Sequence, residues 1–182
     1  MPRNPKIREH QLSLRSELWP KIQPDMIWDR HQRVGFITIP RAIPLIMVAM
    51  DTLSKNRPVS STYLELWCRS YDEGFVTLSN KEHDLAFAAG FTGERAVHTW
   101  RARIDILAEL GFIALAPGPA GVRSYALILN PYLVLEILRK QHRINDMIWN
   151  TLRGRMGEIK ATDLNDPKSA STEKDTSPHR LR

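Results

Sequence analysis

The sequence predicts a mainly α-helical protein with a small antiparallel β-sheet, and three observations carry that prediction. Four segments between residues 41 and 110 repeat apolar residues at three- and four-residue spacing, the period of a helix with one buried side. A short β-branched stretch, "FVTLS" (75–79), interrupts them. Two apolar runs, "FIALA" (112–116) and "SYALILN" (124–130), flank the Pro- and Gly-rich "PGPAGVR", which is the pattern of a β-hairpin.

Taken in order, residues 1–33 scatter Leu12, Leu14, Leu18, Ile22 and Met26 among Pro20 and Pro24 without a sustained period. They read as a partly ordered basic arm that packs on the body through Trp19 and Trp28. "RAIPLIMVAMDTL" (41–53) places Ile43, Met47, Met50 and either Ile46 or Leu53 on one helical face, with Pro44 tolerated in the first turn. "VSSTYLELWCRSY" (59–71) offers Ser60 as a cap and Tyr63, Leu66, Trp67 and Tyr71 as an apolar face. "FVTLS" is too short for anything but a small strand. Ser79 and Glu82 have the spacing of a capping box, opening a short helix over 80–89 with Leu85, Ala88 and Ala89 inward, ended by Gly90.

A helix over 93–110 follows. Val97, Trp100, Ile104 and Leu107 form its core stripe, leaving Glu94, Arg95, His98, Arg101, Ala102 and Asp105 on the remaining surface, and Gly111 ends it. After the hairpin, "PYLVLEILRKQHRINDMIWNTL" (131–152) reads as one helix, begun by Pro131 and with Ile137, Ile144, Ile148 and Leu152 along one side. Its wide apolar face can pack on its own domain or pair with a second copy. Residues 153–182 are polar and nearly free of large apolar groups, so a disordered tail is expected.

A chain of 182 residues with 42% hydrophobic and 25% charged residues has room for one globular domain with tails. No apolar run approaches the roughly 20 residues of a membrane span, and the start lacks the apolar stretch of a secretory signal, so a cytoplasmic protein is expected. Cys68 is the single cysteine, which leaves disulfides and structural zinc without a basis. The net charge of +6 suits an anionic polymer. The excess sits at the ends: residues 1–33 hold seven Lys/Arg against four acids and residues 153–182 hold seven against five, while 34–152 hold twelve against eleven.

The order helix, helix, strand, helix, turn, long helix, hairpin resembles the winged-helix DNA-binding proteins, a helix-turn-helix variant, over roughly residues 41–130. "LAFAAGFTGERAVHTWRARIDILAELGFI" followed by "YALILNP" is most similar to small plasmid and mobile-element replication, maintenance or regulatory proteins. No second domain of the kind found in larger plasmid initiators is legible. The resemblance divides the chain into an arm (1–33), a winged-helix domain (34–130), a C-terminal helix for packing or dimerisation (131–152) and a tail (153–182).

The resemblance implies that the N-terminal half of the 93–110 helix enters the major groove of double-stranded DNA. Thr92, Glu94, Arg95, His98, Thr99 and Arg101 then become candidates for base and phosphate contacts, with Arg103 nearer the flank. Arg can pair in bidentate fashion with guanine, and Glu94 can accept from cytosine or orient Arg95. First-turn amides near Lys81 and Thr92 can each hold a phosphate, and Arg123 on the wing meets a neighbouring backbone or minor groove. The same charges can also be an ordinary solvated face, or a surface for a protein partner. A phosphate loop, a G-x-S-x-G elbow, an H-E-x-x-H helix and a metal-spaced carboxylate cluster are all missing from the sequence, so neither catalysis nor a cofactor is expected.

Overall fold

The structure is a computed structural model that describes residues 5–32, 34–161 and 164. The chain divides into two compact units, residues 1–36 and 37–182. Among the described residues there are seven α-helices and one three-stranded antiparallel sheet. No helix among them is long and apolar enough to cross a membrane.

The first unit contains α1 (Pro5–Leu18) and a single 3-10 turn (Pro24–Met26). Its apolar residues fall on no wide stripe, because Leu12 lies off the line of Ile7, Leu14 and Leu18, and all four are exposed. Trp19 and Trp28, expected as anchors, are 57% and 65% exposed.

In the second unit, α2 (Ile43–Leu53) carries Pro44 in its first turn and buries Ile43, Ile46, Ala49 and Met50. Met47 is only partly buried, because the small Ala49 brings its side of the helix against the core. The cap of α3 (Ser60–Arg69) comes from elsewhere than expected. Ser60 is the first helical residue, and the Asp51 carboxylate on α2 accepts from the amides of Val59 (2.7 Å) and Ser60 (2.9 Å) and from the Ser60 hydroxyl (2.6 Å). Tyr71 is not on the apolar face: the helix ends at Arg69, Ser70 turns into extended backbone, and Tyr71 is 84% exposed.

Strand β1 (Phe75–Thr77) lies where "FVTLS" predicts it. The capping box does not form. Asn80 adopts a left-handed conformation (φ +61°), so α4 (Glu82–Ala88) starts at Glu82 itself; Ser79 donates instead to the Ser124 carbonyl, and Glu82 turns to Arg101. Ala86, rather than Ala88, is buried beside Leu85. Helix α5 (Ala96–Glu109) begins three residues later than expected, after a turn through Gly93 (φ +83°) whose carbonyl accepts from the Ala96 amide. Gly111 (φ +84°) ends it in the left-handed conformation that only glycine adopts without strain.

The hairpin strands β2 (Ile113–Gly118) and β3 (Gly121–Ile128) extend into the expected loop and leave only residues 119–120 as the turn. Strand β3 is central, in the order β1-β3-β2, and Ala126 faces both Val76 and Leu115 in register. The inner side of the sheet joins a core built around Trp100, Tyr63, Phe112, Ile46, Met50 and Leu107, in which Tyr63 meets the Trp67 and Phe112 rings edge-on. The outer side carries a shallow apolar groove lined by Phe75, Ala114, Ala116, Tyr125 and Leu127.

The expected helix over 131–152 is two helices, α6 (Pro131–Lys140) and α7 (Asp146–Glu158). His142 adopts a left-handed conformation (φ +57°), and Asn145 caps the new helix by accepting from the Ile148 amide (2.8 Å). Arg139 fastens the joint, donating to the Ile144 carbonyl and to Asp146. Ile144 and Leu152 are buried, but Ile137 is 53% exposed. Helix α7 also runs six residues past the expected start of the tail, with Met156 and Leu164 buried. The rest of the expected disordered tail, residues 162–163 and 165–182, lies outside the described residues.

Candidate nucleic-acid interface

Helix α5 is held on one side only. Trp100, Ile104 and Leu107 are fully buried, which fixes the rotation of the helix and turns its other side to solvent. Arg95 is the N-cap residue, and Arg95, His98 and Thr99 fall within one turn; the first two are exposed and Thr99 is half-buried. Thr92 and Glu94 are exposed in the turn before the helix. Lys81 occupies the equivalent N-cap position of α4 and is also exposed. Among the described residues no side chain caps either helix start, and beyond the Ala96 amide, which the Gly93 carbonyl takes, first-turn amides stay open. Among the described residues, no hydrogen bond or ion pair engages the side chains of Lys81, Arg95 or His98.

The other expected cations are engaged. Arg101 sits on the α5 surface, but its Nε (2.9 Å) and Nη2 both donate to the Glu82 carboxylate on α4. Arg123 of β3 donates from Nε (2.6 Å) and Nη2 (2.7 Å) to Asp105. Because Arg101 and Asp105 are four residues apart, they stand on the same face of α5, where an intrahelical pair would be the simplest outcome. Each instead takes a partner from another element, so four alternating charges run from α4 across α5 to β3. The hydrogen bond from Arg101 holds the Glu82 carboxyl below the usual carboxylate range, with Arg101, Arg123 and His83 adding to the effect. The hydrogen bond to Asp105 likewise raises Arg123.

Arg103 is turned inward from the expected flank. It is half-buried, its guanidinium stands 6.0 Å from the centre of the Phe91 ring, and its Nε has no partner among the described residues. Burial, with Arg57 nearby, lowers its pKa. It belongs to the packing of the turn before α5 rather than to the open face.

The structure therefore gathers Lys81, Thr92, Glu94, Arg95, His98 and Thr99 on open surface around the starts of α4 and α5, places Arg101 and Arg123 in ion pairs, and withdraws Arg103. Sequence reasoning missed the roles of Glu82 and Asp105. The S-x-x-E spacing pointed Glu82 to a cap, and the only available signal for Asp105 was its i, i+4 relation to Arg101. No group of three or more His, Cys, Asp or Glu among the described residues is arranged to hold a metal ion. Cys68 is exposed, and partial desolvation of its thiol together with the nearby Glu65 raises its pKa, which disfavours the thiolate. No protein-family model matches the chain, and no curated protein or solved structure matches it either.

Proposed function

We propose that the protein is a sequence-specific double-stranded DNA-binding protein of winged-helix type, acting in the cytoplasm as a transcriptional regulator or as a replication or maintenance factor of a plasmid or other mobile element, without catalysis. One observation carries the reading: α5 is locked by its buried stripe while its first turn offers Arg95 and His98, unpaired among the described residues, to solvent. The sheet order supports it, since β1 completes a sheet with the hairpin that follows α5. In this arrangement Arg95 pairs with a base edge, His98 and Thr99 contact bases or phosphates, and Lys81, Thr92 and the open amides fix the register on the backbone. Arg101 and Arg123 enter as contacts only if they leave their carboxylates.

A second copy of the chain would set two such helices about one turn of DNA apart. Most of the apolar residues in 131–152 are used within the chain, so what α6 and α7 still offer a second copy centres on the exposed Ile137 and Met147. The experiment is selection of bound sequences from a random duplex library. A recurring motif supports the reading, and a palindromic one supports a dimer. Enrichment of nothing sinks it. The apolar outer face of the sheet favours a second reading, a protein–protein adaptor, which a stoichiometric co-purifying protein and no salt-dependent DNA complex would support.

A further inference from the structure

We propose that Glu82 and Asp105 are specificity-determining residues of the α5 face: they hold Arg101 and Arg123 away from phosphates, so that duplex lacking the right base edges gains little from either arginine. The inference rests on the duplex-DNA reading above. A carboxylate and a phosphate present the same pair of oxygens to the guanidinium fork. Glu82 takes Nε and Nη2 of Arg101, and Asp105 takes Nε and Nη2 of Arg123. The Nε–Nη2 edge of each fork, one of its two bidentate sides, is already occupied.

The charge count on the face follows. Arg101 and Arg123 are matched one for one by acids, which leaves Lys81 and Arg95 as its cations outside these ion pairs, with the exposed Glu94 beside them. Non-specific affinity tracks the number of phosphates neutralised, with a salt slope of about 0.9 per phosphate. Two held arginines therefore remove much of what random duplex would gain. A cognate duplex keeps its base contacts through Arg95, so its affinity depends less on the held pair. The acids lie on α4 and α5 rather than at a remote surface, which places their charge beside the approaching backbone.

The test uses the full chain and two labelled duplexes, the sequence recovered by selection and a scrambled copy, titrated by fluorescence anisotropy at two salt concentrations. The variants are Glu82→Gln, Asp105→Asn and both together. Glu158→Gln, which frees Arg155 from an ion pair on α7, serves as the charge-matched control for each single variant. The double variant should bind scrambled duplex about tenfold tighter at low salt, with a salt slope steeper by about 1–2, and the selected duplex only about two- to threefold tighter. Arg101→Gln should weaken scrambled binding little in the wild type and cancel the gain of Glu82→Gln.

Both substitutions keep size and shape at half-buried positions, and either single variant carries the test if the double variant unfolds. Unchanged scrambled binding, a gain no larger than that of Glu158→Gln, or equal gains on both duplexes overturns the proposal; the two pairs then only tie α4, α5 and β3 together. If the wild type prefers the selected duplex and Arg95→Ala removes that preference, the duplex reading stands whatever the acid variants do. If the wild type binds neither duplex, reading and proposal fall together.

Discussion

On α5 a single residue step separates a side chain that holds the fold from one that meets solvent: Trp100 is fully buried, whereas the Arg101 side chain is 50% exposed. Removing the indole leaves a cavity that the packed core closes only in part, so Trp100→Ala should lower stability by about 3–5 kcal/mol, read as a lower urea midpoint. Loss of less than about 1 kcal/mol would contradict its place in the core. Glu82 gives a pH signature. Its folded pKa is depressed by Arg101, so the stability it contributes is present above the ordinary glutamate value, about 4.3, and is lost as pH falls from there through the folded value. The urea midpoint of the wild type should therefore fall more than that of Glu82→Gln between neutral pH and pH 3. Equal falls would mean that the pair adds nothing, as many surface ion pairs do. The core stripe of α5 was legible in the sequence because periodicity reports burial directly. The ion pairs were not, because their partners lie 19 and 18 residues away and nothing local encodes them.

At the scale of elements, the start of α3 depends on a residue of α2. Asp51 satisfies two first-turn amides and a hydroxyl, the work that a local cap would do. Asp51→Ala should cost about 1–2 kcal/mol, while Ser60→Ala, which removes only the hydroxyl contact, should cost less. The reverse order in urea unfolding would restore Ser60 as the cap. Element existence was legible from residue 41 to the hairpin, including β1, but the helix starts were less so: Asp51 of another helix caps α3, and the left-handed Asn80 and Gly93, both within the expected segments, delay α4 and α5. The break between α6 and α7 has no Pro or Gly to announce it. Its single local sign was Asn145-Asp146, a capping asparagine followed by an acid in the first turn.

At the scale of the molecule, the two units have different means of stability. The second buries a continuous core that runs from Ala42 to Leu164, whereas the largest side chains of the first are exposed. Residues 37–182 alone should then unfold cooperatively within about 0.5 kcal/mol of the full chain, as measured by urea denaturation. A larger loss would show that residues 1–36 help hold the core. Composition placed the charge excess at the ends, yet the candidate face lies in the nearly neutral middle, where Arg95 and His98 are set apart by their place on the exposed first turn of α5 rather than by number. That distinction was not legible from charge alone.

The central claim is that the exposed first turn of α5 reads duplex DNA. Its most direct test is an anisotropy titration of wild type and Arg95→Ala against the selected duplex and a scrambled one, at two salt concentrations. The wild type should prefer the selected duplex at both, and Arg95→Ala should lose about 1–3 kcal/mol of that preference, roughly 5- to 150-fold, while keeping its urea midpoint. An Arg95→Ala variant that discriminates as well as the wild type would contradict the claim.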